Sequence, residues 1–186
     1  MAYIDVISHE NSENELREIY DNLVKTRGKL ADVHMIQSLN PKSIVDHMDL
    51  YLTIMFGKSP LKRVQREMMA VVVSRANNCA YCQMHHAEAV NHYWKDTAKT
   101  NQLKDDFEKL KLSDIDRELC RYAKEMTLNP SHENEASINR LKELGLEDRA
   151  ILDATLVLAY FNFVNRIVLG LGLEVNEKEL AGYKYE

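Results

Sequence analysis

The stretch that decides the fold is residues 59–94, SPLKRVQREMMAVVVSRANNCAYCQMHHAEAVNHYW. Ser59 and Pro60 offer an N-cap followed by a proline at the first helical position, a pairing typical of a helix start. Asn77 and Asn78 then interrupt the helical spacing of the apolar residues. A second segment with helical character follows this break, so the stretch predicts two helices joined by a short turn.

The rest of the chain repeats this helical pattern. Only six Gly and three Pro punctuate the 186 residues, and apolar residues recur between them at spacings of three and four. The further predicted helices run from Ser12 to Gly28, from Asn40 to Gly57, from a Ser113 cap to Leu128, from Ala136 to Leu144 and from Glu147 to Leu169. With no internal repeat or linker, the sequence predicts one all-α domain, a helical bundle over residues 1–186.

Composition and charge exclude several classes of protein. Hydrophobic residues make up 45% and charged residues 28%, values typical of a globular chain with a packed core. The 24 Lys and Arg are outnumbered by 29 Asp and Glu, and the net charge is −5. A negative chain has no general attraction for phosphate backbones or anionic lipid, so we expect neither a nucleic-acid nor a membrane partner.

Two segments bear on location. Residues 1–20 carry five carboxylates and few apolar residues, so they lack the apolar region of a signal peptide, and a cytoplasmic protein is expected. The most apolar stretch, Ala150 to Leu173, is interrupted by polar residues that are expensive in hydrocarbon. We interpret it as a buried helix. Three of its polar residues, Asn162, Asn165 and Arg166, share one face and are expected to line a thiol pocket, anchor a helix or meet another subunit.

Two cysteines and a histidine in residues 59–94 indicate a chemical function. Cys79, Cys82 and His86 share one helical face, because at about 100° per residue the two cysteines lie about 60° apart and Cys82 and His86 about 40° apart. After a break at Asn78, Cys79 falls in a first helical turn, where unpaired N–H groups favour a thiolate. This argument favours Cys79 as the more acidic thiol, whereas proximity to His86 favours Cys82. The sequence predicts a reactive dithiol.

Three other readings of the cysteines stay open. Free cysteines are often buried, so the pair can be mere packing. A zinc site would take its ligands from Cys79, Cys82 and His86 with one of His85, His92, Glu67 or Cys120, although no second ligand cluster is present. A thioredoxin-like domain would need a βαβ setting, and the preceding residues look helical. Cys120 has no partner motif and is predicted to be structural.

Glu67 completes a larger pattern. It precedes Cys79 by twelve residues, and the resulting Glu…Cys-x-x-Cys-x-x-x-His arrangement with Cys82 and His86 resembles the signature of the alkylhydroperoxidase D-like branch of the carboxymuconolactone decarboxylase superfamily. The resemblance covers about residues 50–91. It implies a bundle of the alkylhydroperoxidase D-like type. Decarboxylase members lack the cysteine pair, so lactone decarboxylation is not expected.

A later stretch of the sequence resembles one subgroup of this superfamily. Residues Tyr160 to Arg166 are similar to the carboxy-terminal helix of the peroxidase-related subgroup of that superfamily. This subgroup resemblance implies a homo-oligomer, with trimers or hexamers common, and the overly apolar last helix is consistent with an interface between subunits.

The resemblance also implies roles for four residues. Cys82 would be the peroxidatic nucleophile, Cys79 the resolving thiol, and Glu67 with His86 a proton relay that deprotonates Cys82. In one unbroken helix Glu67 would lie about 18 Å along the axis from Cys79, so the chain must turn back at Asn77 for the relay to form.

Tyr81 and His85 each lie next to one of these four residues in the sequence. Some members of the family carry a histidine immediately before the second cysteine, where this chain has Tyr81. A phenol with a pKa of about 10 cannot act as a base at neutral pH, although it can donate a hydrogen bond. His85 points about 100° away from His86 around the helix and is therefore predicted to be a surface or interface residue.

The expected function is a thiol-dependent peroxidase that reduces organic hydroperoxides or hydrogen peroxide. It requires no haem, flavin or tightly bound metal as cofactor, and its disulfide would be reopened by a dithiol protein or a lipoamide-like carrier. The alternatives are a disulfide reductase or isomerase that uses the same cysteines, and a non-catalytic redox-sensing or zinc-binding module.

Overall fold

The computed structural model describes residues 2–131 and 135–176, and within these ranges its regular structure is helical throughout. Nine α-helices are present there: α1 (Asn14–Arg27), α2 (Asp32–Met35), α3 (Pro41–Tyr51), α4 (Arg63–Ala76), α5 (Ala80–Trp94), α6 (Thr97–Asp106), α7 (Asp114–Leu128), α8 (Glu135–Glu143) and α9 (Asp148–Gly170). A π-helical turn, Leu52–Phe56, continues α3, and a 3₁₀ turn, Phe107–Lys109, continues α6. The predicted all-α fold is confirmed.

Helix α4 is the centre of the core. Every residue from Arg66 to Ser74 is buried, because α5, α6, α7 and α9 all pack against this helix. A helix that is enclosed on all sides needs apolar residues around its whole circumference, and the run Met68-Met69-Ala70-Val71-Val72-Val73 supplies them. The buried segment from Arg66 to Ser74 also contains one carboxylate, that of Glu67, and one guanidinium, that of Arg66. Both charged groups therefore need partners close by.

The predicted break between α4 and α5 is present. Asn78 adopts the left-handed conformation, with φ of 56°, and ends the helical hydrogen-bond pattern. The Cys79 N–H then donates to the Ser74 carbonyl at 2.8 Å, and α5 runs back along α4. The sequence prediction of a helical hairpin is confirmed.

The amino-terminal segment forms a smaller cluster of its own. Leu16, Tyr20 and Leu23 of α1 pack against Ile44 and Met48 of α3. Tyr51, at the end of α3, contacts both this cluster and the main core. The segment thus forms a wall beside α5 and α9, and the space between this wall and the core is the cavity described below.

Two helix starts differ from their predictions. Helix α1 begins at Asn14 with Glu13 as N-cap, and the Ser12 hydroxyl instead donates to the His9 carbonyl at 2.7 Å in the preceding turn. Helix α4 begins at Arg63 and not at Pro60. The predicted cap at Ser113 is confirmed, since its hydroxyl accepts the Asp116 N–H at 3.1 Å.

Ser59 and Pro60 lie in a turn before α4. The Ser59 hydroxyl accepts the Leu61 N–H at 3.1 Å, and the first turn of α4 is instead closed by the Gln65 side chain, which accepts the Lys62 N–H at 2.8 Å. Sequence reasoning also missed α6, which is polar along most of its length. Its signal is the N-cap Asp96, whose carboxylate accepts the Lys99 N–H at 2.9 Å.

Helix α9 is long and apolar enough to cross a membrane by length and composition, but half of its most apolar window is buried inside the protein. It packs against α4 and α7 through residues such as Val157, Phe161 and Val164. The prediction of a buried helix is therefore confirmed for this face. The opposite face is exposed and carries Leu152 and Phe163.

Arg66 fixes the start of α4 to the end of the π-helical turn. Its side chain is 6% exposed, and its guanidinium donates to the carbonyls of Ile54 and Met55 at 2.9 Å, of Gly57 at 3.1 Å and of Leu61 at 3.0 Å. The carbonyls at the carboxyl end of a helix have no partner within the helix and carry a partial negative charge. Arg66 satisfies these carbonyls inside the core.

We predict that Arg66→Met lowers the free energy of unfolding by about 3 kcal/mol, because it leaves several buried carbonyls without a donor. Chemical denaturation of the two proteins measures the difference. Arg75→Met, at an exposed position of the same helix, is the matched control and should change stability by no more than about 0.5 kcal/mol. Equal stability of R66M and R75M would contradict the role given to Arg66.

Candidate functional site

The turn between α4 and α5 brings Glu67 and His86 together. The Glu67 Oε2 atom lies 2.6 Å from His86 Nδ1, and Arg63 Nε donates to Glu67 Oε1 at 2.8 Å. The return of the chain at Asn77, which the proton relay requires, is thus observed. The ring of Phe161 packs edge-on against His86, with ring centroids 4.4 Å apart.

Glu67 is ionised although it is fully buried. Burial by itself would raise its pKa, but the charges and hydrogen bonds of His86 and Arg63 outweigh this effect and hold the pKa below its usual value. A carboxylate only accepts hydrogen bonds, so the proton in the contact with His86 belongs to Nδ1 of the imidazole. The Nε2 atom is the ring nitrogen that this contact leaves unused, and it is an acceptor whenever the ring is neutral.

Arg63 is held in place by aromatic side chains. Its guanidinium carbon lies 3.6 Å from the centroid of the Phe56 ring, and the group donates to the Tyr51 hydroxyl at 3.4 Å. Burial, followed by the charge of Glu67, raises the pKa of Tyr51 to about 12. Sequence reasoning did not select Arg63, although its spacing of four residues before Glu67 on α4 is a signal for an ion pair.

The two cysteines form a hydrogen-bonded pair. Both are buried, with Cys79 at the N-cap of α5 and Cys82 one turn further. The Cys82 thiol donates to the Cys79 sulfur, which lowers the pKa of Cys79, and the Cys82 N–H adds to this effect against burial. Because Cys82 gives up its proton only by losing that hydrogen bond, and because it is buried, its pKa is raised well above the usual value.

Asn165 of α9 contacts both the α4–α5 turn and this pair of cysteines. Its amide is fully buried, accepts from Asn77 Nδ2 at 3.0 Å, donates to Ser74 Oγ at 3.2 Å and hydrogen-bonds to the Cys82 sulfur. This last contact favours the Cys82 thiolate. Two of the roles expected for the polar face of α9 therefore meet in Asn165, which both anchors the α4–α5 turn and contacts the thiol.

The other two polar residues of that face belong to the helix contact. Asn162 accepts from Asn77 Nδ2 and donates to Thr127 Oγ1, each at 3.0 Å. Arg166 in turn donates to the Asn162 side chain at 2.9 Å. The observed contacts therefore tie α9 to the end of α4 and to α7.

A cavity of about 100 Å³ opens onto the site. Cys82, Glu67 and His86 line it from the core side, and Cys79 is not among its lining residues. The sulfur that a substrate in this cavity meets is therefore that of Cys82. The remaining walls come from α1, from the segment that leads to α2, from α3 and from α9, and most of their side chains are apolar or aromatic.

Two neutral histidines face the same cavity from the amino-terminal wall. Burial lowers the pKa of His34 to about 3, with smaller contributions from His47 and Arg27, and burial lowers the pKa of His47 to about 4. His47 Nε2 lies 2.7 Å from the Tyr160 hydroxyl, and its Nδ1 lies 2.8 Å from Gln37 Nε2. No sequence pattern linked these residues to the cysteines, since more than one hundred positions separate His47 from Tyr160.

The predicted surface position of His85 is wrong. His85 lines the cavity, and its ring centroid lies 4.4 Å from that of Tyr81. His85 does point away from His86 around α5, but residues near Val33 cover this face of the helix as well. Tyr81, which stands where some family members have histidine, accepts a hydrogen bond from the Val33 N–H at 3.3 Å.

The structure also bears on the zinc-site hypothesis and on the predicted structural role of Cys120. Within residues 2–131 and 135–176, no group of three or more His, Cys, Asp or Glu side chains is arranged to hold a metal ion. Cys120 is fully buried in the core, and desolvation raises its pKa far above the usual value. A thiol in this setting is unreactive.

Comparison with known proteins places this site in a family. Residues 45–92, which contain the α4–α5 hairpin, match the sequence model of the carboxymuconolactone decarboxylase family. A peroxidase-related protein from Silicibacter sp. TM1040 has a similar structure, with a TM-score of 0.82 and 25% identity over 98% of this chain and 92% of that one. The α4–α5 segment is therefore similar to the carboxymuconolactone decarboxylase family, and the chain as a whole has the fold of alkylhydroperoxidase D-like proteins.

Other solved structures share this fold. The alkylhydroperoxidase AhpD core of a peroxidase-related protein from Ralstonia eutropha JMP134 has a TM-score of 0.85 and 21% identity, with 96% of this chain and 94% of that chain covered. A Cys-to-Ala variant of the debrominase Bmp8, in complex with 2,3,4-tribromopyrrole, has a TM-score of 0.79 and 15% identity, with 96% of each chain covered. No curated protein matches the chain at a significant level. These neighbours show the fold, which proteins described as peroxidase-related share with a debrominase.

We predict that His47 makes the protein less stable as the pH falls from about 6.5 to about 4. The unfolded chain takes up a proton at His47 below about 6.5, whereas the folded chain keeps the ring neutral down to about 4. Stability is therefore lost in this window at about 1.4 kcal/mol per pH unit. His47→Gln removes this contribution, which denaturation at a series of pH values would detect as a shallower slope. His92→Gln, at an exposed position of α5, should keep the wild-type slope, and parallel curves for wild type and H47Q would contradict the prediction.

Proposed function

We propose that the protein is a thiol-dependent peroxidase that reduces organic hydroperoxides or hydrogen peroxide through the Cys79–Cys82 pair. The observation that carries the proposal is the buried Glu67–His86 hydrogen bond of 2.6 Å at the floor of a cavity that reaches Cys82. A peroxide needs a thiolate to attack, a donor for the departing oxygen and a second thiol to remove the sulfenic acid. The cavity floor holds groups suited to the first two tasks, and Cys79 suits the third.

The proton is handled by the relay. His86 lies four residues after Cys82 on the same face of α5, and its Nε2 atom accepts a proton from the dithiol while Glu67 stabilises the resulting imidazolium. The remaining proton of the dithiol rests between the two sulfurs, with the negative charge favoured on Cys79. Its transfer from Cys82 to Cys79 puts the charge on the sulfur that faces the cavity, where Asn165 stabilises it.

One hydroperoxide molecule is the only oxidant needed to convert the two cysteines into a disulfide. The Cys82 thiolate attacks the terminal oxygen of the hydroperoxide, the O–O bond breaks, and the alkoxide takes the His86 proton to leave as an alcohol. Cys82 is now a sulfenic acid, oxidised by two electrons. The Cys79 sulfur attacks that sulfur, hydroxide leaves as water with the proton of Cys79, and a disulfide joins the two residues.

The cycle closes with an external dithiol. A dithiol protein or a lipoamide-like carrier reduces the disulfide by thiol exchange, so the reductant itself is oxidised to a disulfide. A cytoplasmic location would keep that reductant pool supplied. Cys82 is the sulfur at the cavity and therefore the one that the incoming thiolate meets first.

We also propose that the protein is a homo-oligomer, a trimer or a hexamer, assembled through the exposed face of α9. Leu152, Leu156, Ala159 and Phe163 are all exposed and follow one another at helical spacing. Such an apolar stripe is expected to be covered in an assembly.

The peroxidase is tested by intact mass and peptide mapping of the reduced, metal-free protein after one equivalent of cumene hydroperoxide, with a no-peroxide control. We expect the rapid loss of two hydrogens, mapped to a Cys79–Cys82 disulfide. Cys82→Ser should abolish the reaction, and Glu67→Gln should slow it by about 10²-fold because the relay loses its anion.

The matched controls are Cys120→Ser, which removes a buried thiol without a role, and Glu88→Gln, at an exposed position of α5. Both should react like the wild type. Unchanged mass of the wild-type protein would overturn the peroxidase and favour the disulfide reductase, the redox sensor or the zinc module. A normal rate for E67Q would overturn the relay.

Assembly is tested by sedimentation equilibrium. The wild type should have three or six times the mass of the monomer, and Phe163→Glu should shift it towards the monomer because a buried charge is expensive at an apolar interface. Lys111→Glu, at an exposed position outside α9, is the control and should leave the mass unchanged. A wild type that sediments as a monomer at micromolar concentration would contradict the proposed assembly.

A further inference from the structure

The cavity beside Cys82 has an uneven charge. Three basic side chains line it, Arg27, Lys29 and Arg63, against one acidic side chain, Glu67. Glu67 is already engaged by Arg63 and His86. The positive charge of Arg63 is therefore balanced inside the site by Glu67.

Arg27 is the basic residue best placed to receive a ligand. Its guanidinium carbon lies 4.8 Å from the centroid of the Phe56 ring and 5.7 Å from that of Tyr51, within cation–π distance of both rings. Among the described residues no hydrogen bond or ion pair engages it. Its N–H donors therefore remain directed to solvent or to a molecule in the cavity, in the planar arrangement that suits a carboxylate.

The sequence holds Arg27 at this place for a local reason. Gly28 follows it with φ of 87°, a left-handed conformation that ends α1 and turns the chain. The turn lets both Arg27 and Lys29 line the cavity. A positive charge in the last turn of a helix is also stabilised by the helix dipole.

The remaining walls fit an apolar body. His34 and His47 stay neutral at physiological pH, and Met48, Phe161 and Val164 add apolar surface. The space is of the order that a single aromatic ring needs. A neutral apolar molecule would leave Arg27 without a partner, and a cation would be repelled by it.

We propose that this cavity binds small apolar carboxylates, with the carboxylate on the Arg27 guanidinium and the apolar body directed to Cys82. Resting on the proposed function, the hydroperoxide that the protein prefers is one that carries such a carboxylate. The binding itself does not depend on any redox step, which allows the two ideas to be tested separately.

Binding is measured by titration calorimetry with 4-isopropylbenzoate and its uncharged amide, 4-isopropylbenzamide, on the reduced wild-type protein. We expect the carboxylate to bind about tenfold more tightly than the amide, the gain typical of a hydrogen bond to a charged group. Arg27→Gln should remove this preference, and Arg27→Lys should retain part of it. Lys25→Gln, at an exposed position of the same helix turn, is the control and should bind like the wild type. Equal binding of carboxylate and amide, or a preference that survives in R27Q, would overturn the proposal.

A second measurement separates this proposal from the peroxidase. The rate of disulfide formation is compared for cumene hydroperoxide and its 4-carboxylate, and we expect the carboxylate to react about tenfold faster in the wild type and equally fast in R27Q. If neither peroxide oxidises the cysteines while 4-isopropylbenzoate binds through Arg27, the peroxidase fails and the carboxylate site stands. If both oxidise them at equal rates and the carboxylate shows no preference in binding, the peroxidase stands and the carboxylate site fails.

Discussion

The buried carboxylate of Glu67 is the constraint on which the rest of the site depends. An ionised group at the centre of a helix that is enclosed on all sides is stable only if other charges and donors surround it. His86 and Arg63 provide them, and each must be held at hydrogen-bond distance by its own supports, Phe161 for the imidazole and Phe56 for the guanidinium. The antiparallel course of α4 and α5 follows from this requirement, since only a hairpin returns His86 to Glu67. The same requirement directs the base of His86 away from Glu67.

The thiol pair illustrates how one structure divides two properties between two sulfurs. Hydrogen bonds from the thiol and N–H of Cys82 favour negative charge at Cys79, whereas Cys82 is the sulfur that lines the cavity. The hydrogen bond between the two thiols joins the sulfur with the lower pKa to the sulfur that lines the cavity. Because Asn165 joins the Cys82 sulfur to the α4–α5 turn, a change in the packing of α9 would be felt directly at the thiol. The buried amide network thus couples the core to the chemistry of the site.

The amino-terminal segment converts this reactive floor into a cavity. Without α1 to α3, Cys82 and His86 would face solvent on the side that Tyr51, His47 and Arg27 now cover. The wall reduces the exposure of the site to solvent, which strengthens the electrostatic interactions inside it. It also adds the positive charge of Arg27, which lies within cation–π distance of Phe56 and Tyr51. The floor of the site is built from α4 and α5, whereas most of the wall comes from the amino-terminal segment and α9.

The sequence by itself determined the helical class, the break at Asn77 and Asn78, and the shared face of Cys79, Cys82 and His86. These features depend on local backbone preferences and on the 3.6-residue period, which a chain carries with it in any context. Glu67 was selected only through a family resemblance, because nothing local marks a buried carboxylate. The tertiary structure alone decided that His85 lies inside, that Asn165 reaches Cys82, and that Arg27, His47 and Tyr160 meet around one cavity. Those contacts join residues far apart in the sequence, and their distances follow from how whole helices pack, which no pattern within a single helix specifies.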